Sequence, residues 1–409
     1  LMYSNIEEGE MFMALKDWRK AIRTPPSYRV AKRTLKIQTQ CLTVVAIISA
    51  LFLLTTFRSS DSSNFNEISE NDKLTSDLVN SDYLIPVKAI RPYNTTYPVT
   101  KPVATGDETI FKIGVISDMD HSSLSKHESN TWRSRYKKGT LTWNSKSQTV
   151  SVKWDEAEPK MLKSKYSYSG RGMELSELVT FDGKLLSADD RTGIIYVIEN
   201  ENVYPWVVLL DGPGKIGKGF KSEWATVKDE HLFVGSVGKE WTTPQGEFVN
   251  NNPMWVKKIS RFGEVTDIPW RNNYIALRKP FGITFPGYMW HEAGVWSDIH
   301  KKWFFLPRRM SSYIYNEKTD EEMGTNKLLI ASENFKYIKI VDIGSVIPTR
   351  GFSSFKFLPN SKDEIIVAIK SLEVGNLTET FIVAFTIKGQ ILLNDTKIEN
   401  HKYEGFEFI

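Results

Sequence analysis

Five short segments in the later part of the chain share one pattern, in which an oxygen-bearing side chain lies near a glycine and beside aromatic or apolar residues. The residues concerned are Ser176, Glu223, Glu292, Ser353 and Glu404, and successive positions are 47, 69, 61 and 51 residues apart. A repeat of this length is typical of propeller blades, whose equivalent positions converge on one axis. Carboxylates that meet there repel one another unless a cation lies between them. The pattern therefore predicts a radial repeat with a cation on its axis.

From about residue 109 the sequence consists of short β-type runs separated by turn residues. Phe111–Ile116 and Thr380–Phe385 are examples of such runs, and Asp182-Gly183 is an example of a turn. One fifth of residues 109–409 suffices for four strands and their loops. We therefore expect an all-β, five-bladed propeller that closes when Tyr403–Ile409 pairs with Phe111–Ile116. A pair of β-sandwiches is the alternative architecture.

The N-terminal region has a different composition. Residues 1–40 carry eight Lys/Arg and four Asp/Glu, which accounts for the whole formal net charge of +4. Residues 41–57 are uncharged and are followed by a polar stretch. This arrangement predicts a cytosolic basic tail and a transmembrane signal anchor with the rest of the chain in the lumen. A buried helix at 41–57, or a cleaved signal with secretion, are the alternatives.

The segment after the predicted anchor is polar. Residues 58–107 are rich in Ser, Asn, Asp, Thr and Pro, which predicts a flexible stem ahead of a domain at 108–409. Glycosylation sequons begin at Asn94, Asn376 and Asn394, and we expect a glycan at Asn94. No basic stripe follows residue 58, so no nucleic-acid partner is expected.

Acidic and basic residues beside the predicted strands are candidates for phosphate chemistry. Asp118 and Asp120 follow a predicted strand and could orient or deprotonate a water molecule. Arg171 and Arg191 could each bind phosphate oxygens through two parallel hydrogen bonds. Asp190 could hold Arg191 or the water molecules of a metal, although Asp189-Asp190 could also be only a turn.

Further candidates have two interpretations each. Arg308 and Arg309 could add to the phosphate site or lie in a solvated loop. The three tryptophans Trp224, Trp241 and Trp290 could stack on a nucleobase or pack inside a blade. The glycine-rich run 212–219 nearly matches a P-loop, but it ends in Gly219 instead of Ser or Thr, and we expect a strand after it where a P-loop needs a helix.

Several segments in collinear order from residue 111 to the C-terminus resemble the calcium-activated nucleotidase (apyrase) family. They include Ser117-Asp-Met-Asp, Arg171-Gly-Met-Glu-Leu-Ser-Glu-Leu, Lys221-Ser-Glu-Trp, Pro286-Gly-Tyr-Met-Trp-His-Glu, Gly351-Phe-Ser-Ser-Phe and Lys402-Tyr-Glu-Gly. The resemblance implies a five-bladed propeller with a calcium ion in its central tunnel. The calcium ligands that it implies are Ser176, Glu177, Glu223, Glu292, Ser353 and Glu404.

The resemblance also implies an enzyme that removes the terminal phosphate of nucleoside diphosphates, and also of triphosphates, to give a nucleoside monophosphate and phosphate. In a Golgi or endoplasmic reticulum lumen the substrates would be UDP and GDP, whereas a secreted form would meet ADP or ATP. Self-association as a homodimer is also open. The alternative function is a non-enzymatic, membrane-anchored calcium-binding propeller that presents its loops to a protein partner.

Overall fold

The computed structural model describes residues 27–30, 33–36 and 91–409. The chain divides into two compact units, Leu1–Arg91 and Pro92–Ile409. In the first unit, Ser27–Val30 pairs with Arg33–Lys36 as an antiparallel hairpin. The predicted anchor at 41–57 lies outside the described residues. Within the described ranges, no helix is both long enough and apolar enough to cross a bilayer.

The second unit is a five-bladed β-propeller, as the repeat predicted. Blade 1 joins the two ends of the domain and contains, from the inside outwards, Tyr403–Phe408, Glu108–Ser117, Trp132–Asn144 and Thr149–Trp154. Val103–Thr105 pairs with its second strand and Lys160–Ser164 with its third. Blade 2 contains Leu175–Phe181, Lys184–Asp189, Ile194–Glu199 and Asn202–Val208.

Blades 3 to 5 are also four-stranded and antiparallel. Blade 3 contains Trp224–Lys228, His231–Gly235, Trp255–Ile259 and Val265–Pro269. Blade 4 contains Tyr288–Ser297, Lys302–Ser311, Lys327–Ser332 and Ile338–Asp342. Blade 5 contains Arg350–Phe357, Ile365–Val374, Leu377–Thr386 and Ile391–Glu399.

The ring closes in blade 1, because the C-terminal strand pairs with the first long strand of the domain. Phe406 lies opposite Val115, and Phe408 lies opposite Ile113. The innermost strands of successive blades contact one another, and that of blade 5 contacts that of blade 1. This radial arrangement leaves only short, protected strand edges.

Shorter elements connect the blades. Two small hairpins are formed by Leu210–Asp211 with Ile216–Gly219 and by Trp241–Thr242 with Phe248–Asn250. The helices are Arg271–Arg278 and Glu317–Asp320, and the 3-10 helices are Asp120–Ser123, Asn252–Met254 and Lys279–Phe281. The glycine-rich run 212–219 therefore forms a turn and a strand, which confirms that it is not a P-loop.

The core lies between neighbouring blades, where apolar faces pack against each other. Between blades 3 and 4 it is strongly aromatic: Trp224 is fully buried, with its ring centroid 5.6 Å from those of Trp270 and Phe305 and 6.3 Å from that of Trp303. Trp224 is thus a core residue and does not reach a substrate.

Part of the segment expected to be a stem contacts the propeller. The backbone N–H of Asn94 donates to Asp182 Oδ1 at 2.8 Å, and the Tyr97 hydroxyl donates to Glu407 Oε1 at 2.8 Å. Together with the strand Val103–Thr105, these contacts attach residues 93–105 to blades 1 and 2. The sequon residues Asn94, Asn376 and Asn394 are all exposed.

Candidate functional site

A cavity of about 380 Å³ opens where the innermost strands of the blades begin. Among the described residues that line it are eleven carboxylates and seven basic side chains. All five residues predicted for phosphate chemistry line it, namely Asp118, Asp120, Arg171, Asp190 and Arg191. Three of the predicted metal ligands, Glu223, Glu292 and Glu404, line it as well. The structure therefore brings most of the predicted site residues into one space.

Four of the five repeated oxygen-bearing residues share a backbone feature that the sequence did not reveal. Ser176, Ser353 and Glu404 are each the extra residue at a shift of register in the innermost strand of a blade. Glu292 lies in a similar irregularity in blade 4, and Arg308 lies in the partner strand beside it. A β-bulge changes the direction in which a side chain points, so it re-aims these four side chains. Glu223 of blade 3 instead lies directly before its inner strand.

Arg308 occupies the centre of the cavity wall. Its Nη1 donates to Glu404 Oε1 at 2.9 Å and also to Glu292, while Nη2 donates to Glu373 Oε2 at 2.9 Å. The three glutamates raise the pKa of this guanidinium well above its ordinary value against the opposing effect of burial. Sequence reasoning proposed Arg308 only as an accessory phosphate ligand, and it missed Glu373.

Two lysines contact the remaining acids of the cavity. Lys402 Nζ lies 2.7 Å from Asp118 Oδ2, 3.1 Å from Asp120 Oδ2 and 3.4 Å from Glu404 Oε1. Lys221 contacts Asp190 and lies 2.7 Å from Glu223 Oε1. Sequence reasoning missed both lysines. Their common position two residues before a repeated glutamate, in Lys221-Ser-Glu and Lys402-Tyr-Glu, was the available signal.

A second group of acids lies around Arg171. Arg171 Nε donates to Glu174 Oε1 at 2.7 Å, and Nη2 lies 3.0 Å from Asp120 Oδ1. Carboxylate oxygens of Asp118, Asp120 and Glu174 all lie within 4.8 Å of one another, close enough to share a metal ion. Burial raises the pKa of Glu174 to about 7, although Arg171 opposes the shift. Glu174 is a further residue that sequence reasoning missed.

The loop that carries Asp190 and Arg191 is held by its neighbour Asp189. The buried Asp189 carboxylate accepts hydrogen bonds from the backbone N–H groups of Arg191 at 2.9 Å, Thr192 at 3.1 Å and Met173 at 2.8 Å. Asp189 is thus a positioning residue at the edge of the cavity. Within the described part of the chain, the buried Asp190 Oδ1 has no hydrogen-bond donor.

Three predicted metal ligands do not line the cavity. The Ser176 hydroxyl donates to the backbone carbonyl of Ser222, and the Ser353 and Ser371 hydroxyls lie 2.5 Å apart. Glu177 is fully buried, where its Oε1 accepts from the Ser354 hydroxyl at 2.8 Å and pairs with Lys356 Nζ at 3.1 Å. The hydroxyls are still in the inner ring, but the Glu177 carboxylate points to a separate cluster.

One wall of the cavity is aromatic. Trp241, Trp290 and Tyr315 line it, and the ring centroids of Trp290 and Tyr315 are 6.2 Å apart. Trp290 Nε1 also donates to Glu292 Oε1 at 2.9 Å, which ties this wall to the acidic centre. Arg309, the neighbour of Arg308, pairs with Asp320 at 3.2 Å at the same wall.

The electrostatics of the cavity favour a bound cation. Burial raises the pKa of Glu223 to about 8 and also raises the pKa of Glu404 well above its ordinary value, and in both cases the carboxylate of Glu292 adds to the shift. A divalent cation would relieve this repulsion. The donors are carboxylate oxygens with hydroxyl oxygens nearby, a set that suits calcium better than zinc or copper. The residues present therefore fit a hard cation.

Comparisons with known proteins show to which family the chain belongs. The family model for apyrase matches residues 119–409. Over 317 residues the chain is 53% identical to an apyrase of Cimex lectularius, covering 77% of this chain and 87% of that protein. It is 51% identical over 320 residues to the soluble calcium-activated nucleotidase 1 of Rattus norvegicus, covering 78% and 79%. It is also 44% identical over 301 residues to an apyrase of Caenorhabditis elegans, covering 73% and 84%. The chain therefore belongs to the apyrase family.

Proposed function

We propose that this protein is a calcium-dependent hydrolase that removes the terminal phosphate of nucleoside diphosphates, with UDP and GDP as preferred substrates. Membership of the apyrase family supports hydrolysis of nucleotide phosphates. The observation that carries the finer proposal is that one cavity combines a surplus of carboxylates, several cationic side chains and an aromatic wall. A nucleoside diphosphate has matching parts: an anionic phosphate chain and an aromatic base.

The metal is assigned to the acidic centre. Glu223, Glu292 and Glu404 would hold a calcium ion, and the hydroxyls or carbonyls of the inner strands would complete its oxygen ligands. When bound, the ion would neutralise charge on the phosphate oxygens. A related protein carries calcium activation in its name, which supports calcium over other hard cations.

The remaining residues bind phosphate and activate water. Arg171 and Arg191 reach the cavity from the two loops of blade 2 and can donate to phosphate oxygens. Asp118 and Asp120 lie side by side, and the backbone N–H of Asp120 donates to Asp118 Oδ1 at 2.8 Å. Their free lone pairs can accept a proton from an attacking water molecule, while Lys402 keeps both carboxylates in position.

We further propose that the propeller acts in the lumen of the Golgi or endoplasmic reticulum, behind a type II signal anchor at residues 41–57, and carries a glycan at Asn94. The uncharged run after a basic tail supports the anchor. The exposure of Asn94 supports the glycan, because a sequon must be accessible to be modified.

Release of phosphate tests the proposed activity. Purified protein would be supplied with UDP, GDP, ADP or ATP in calcium, in magnesium with calcium chelated, or in chelator alone. We expect turnover of the diphosphates in calcium and at least about tenfold less in magnesium, which prefers to keep its water ligands. Equal turnover in magnesium would contradict calcium dependence. Calcium binding without release from any nucleotide would favour the non-enzymatic propeller.

A further inference from the structure

Arg308 contacts three carboxylates from three different blades. Its Nη1 bridges Glu292 of blade 4 and Glu404 of blade 1, and its Nη2 contacts Glu373 of blade 5 at 2.9 Å. The Arg308, Glu292 and Glu404 side chains are only 4 to 6% exposed, whereas Glu373 is 35% exposed. One guanidinium thus joins the proposed metal ligands to an acid at the rim of the cavity.

Arg308 and a calcium ion compete for the same carboxylates. The guanidinium occupies one oxygen of Glu292 and one of Glu404, and its charge repels a second cation placed between them. Calcium therefore binds these glutamates most tightly when Arg308 has moved away from them. The chain provides cations for all three repeated glutamates, since Lys221 also pairs with Glu223 and Lys402 with Glu404.

A displaced Arg308 needs another anion. Burying a guanidinium without an anionic partner is unfavourable. Glu373 alone supplies less negative charge than Glu292 and Glu404 supplied together. The missing negative charge lies within the same cavity when a phosphate chain is bound there. Because phosphate presents oxygens that match the planar fork of arginine, the substrate is a suitable second partner.

We propose that Arg308 couples the two ligands of the site: it neutralises Glu292 and Glu404 when no calcium is bound, and it binds the substrate's phosphate once calcium has displaced it. This inference rests on the proposed function. Calcium and the nucleotide then strengthen each other's binding by the same factor, as any linked pair of ligands must. Arg308 is in this account a residue that sets calcium affinity as well as a phosphate ligand.

Calorimetric titration with calcium tests the coupling without turnover. The full chain would be titrated alone and in the presence of the α,β-methylene analogue of UDP, which cannot be hydrolysed. In the wild type we expect the analogue to lower the calcium Kd by about fivefold or more. Arg308→Met should bind calcium about tenfold more tightly than the wild type when no analogue is present, since the competing charge is gone. In that variant the analogue should lower the calcium Kd by a clearly smaller factor than in the wild type, because only the direct attraction between calcium and phosphate still links the two ligands.

Two further variants make the test specific. Arg350→Met removes a guanidinium that pairs with Asp395 at 3.1 Å outside the cavity, and it should leave the calcium Kd unchanged. Glu373→Gln removes the anion to which Arg308 can withdraw, and it should weaken calcium binding by about threefold or more. Arg308→Met should lower the calcium Kd, whereas Glu373→Gln should raise it. General destabilisation of the fold cannot produce both changes. If Arg308→Met does not fold, the calcium Kd of Glu373→Gln alone tests the proposal.

The inference is overturned if Arg308→Met binds calcium no more tightly than the wild type, or if the analogue strengthens calcium binding equally in both proteins. An unchanged calcium Kd in Glu373→Gln would also overturn it. These results are separate from a failure of the proposed function, which is read from phosphate release by the wild type. A wild type that hydrolyses UDP in calcium while Arg308→Met shows no change in calcium affinity would refute the coupling alone.

Discussion

The propeller contains two buried clusters of charge, and they differ in how their carboxylates are held. The candidate site lies in a cavity where carboxylates outnumber basic side chains by eleven to seven. The second cluster, formed by Glu177, Lys356 and Glu407, lies beside another cavity of about 420 Å³. There Glu407 uses both carboxylate oxygens, which accept from Tyr97, from the backbone of Phe408 and from the backbone of Thr180.

The difference shows why buried charge alone does not identify a site. Glu177 pairs with Lys356 and accepts from the backbone N–H of Leu178, Glu407 accepts from backbone N–H groups, and residues 93–97 line the cavity beside them. Such a cluster connects the inner strands of different blades. At the candidate site the carboxylate of Glu292 adds to the effect of burial in raising the pKa of Glu223 and Glu404, whereas burial is the cause that raises the pKa of Glu177 and Glu407. Carboxylates that repel one another beside a cavity are the functional signal.

The largest expected effect separates catalysis from metal binding within the candidate site. Asp120→Asn removes a proton acceptor but keeps the shape of the side chain, so we expect turnover to fall by about 10² to 10⁴-fold. The calcium-induced rise in Tm should remain, because Asp120 is not among the proposed metal ligands. Turnover and thermal melts with and without calcium would measure both quantities.

Asp342→Asn is the matched control for Asp120→Asn. Asp342 pairs with Lys327 on the outer strands of blade 4, well exposed, and it does not line the cavity. Turnover by this variant should equal that of the wild type. A loss of the calcium effect in Asp120→Asn would instead place Asp120 among the metal ligands.

The next effect distinguishes the two clusters directly. Glu177→Gln leaves the buried Lys356 without its carboxylate, so we expect the free energy of unfolding to fall by about 3 to 5 kcal/mol. The calcium Kd should stay within about twofold of the wild type, whereas Glu404→Gln should weaken calcium binding by about tenfold or more because it removes a ligand charge. Urea unfolding and calcium titration of both variants test the comparison. A large rise in calcium Kd in Glu177→Gln would show that its carboxylate ligates the ion, as the family resemblance implied.

The smallest expected effect is on the pH dependence of the free energy of unfolding, measured with calcium chelated. Burial raises the pKa of Glu223 from its ordinary value of 4.5 to about 8, so folding favours the protonated form of this group. Its contribution to stability is fully present below about pH 4.5 and is lost as the pH rises to about 8. Glu223→Gln remains neutral, so its stability relative to the wild type should increase by about 3 kcal/mol between pH 5 and pH 8. Urea unfolding at both pH values measures the change.

Glu230→Gln serves as the control for that measurement, because Glu230 is exposed in a turn of the same blade. Its stability should follow the wild type at both pH values. A Glu223→Gln curve that also follows the wild type would show that Glu223 is ionised alike in the folded and unfolded protein.

Much of the fold could be predicted from the sequence because the repeat and the strand pattern are local signals. The spacing of the repeated serines and glutamates, with the length of the domain, indicated five blades, and the apolar runs at 111–116 and 403–409 indicated where the ring closes. Three of the repeated residues proved to lie at bulges, which re-aim their side chains. The same spacing could not show that the Ser176 and Ser353 hydroxyls contact the backbone of the inner ring and another serine instead of the cavity.

Many partners of the site residues could not be predicted, because they are distant in sequence. Arg308 and Glu404 are 96 residues apart in sequence, and Lys402 and Asp118 are 284 apart. Only the closure of the ring brings these pairs together. Glu373 was missed for the same reason, since Arg308 lies 65 residues from it. Glu174 was missed although its partner Arg171 is only three residues away.

The most direct test of the central claim is the position of calcium in a crystal structure, located by anomalous diffraction from crystals grown in calcium with the α,β-methylene analogue of UDP. The account predicts one strong anomalous peak in the candidate cavity, about 2.3 to 2.6 Å from carboxylate oxygens of Glu223, Glu292 and Glu404. It also predicts that Arg308 contacts a phosphate oxygen instead of these glutamates. No peak among the three glutamates, or a peak at the cluster of Glu177 and Glu407, would contradict it.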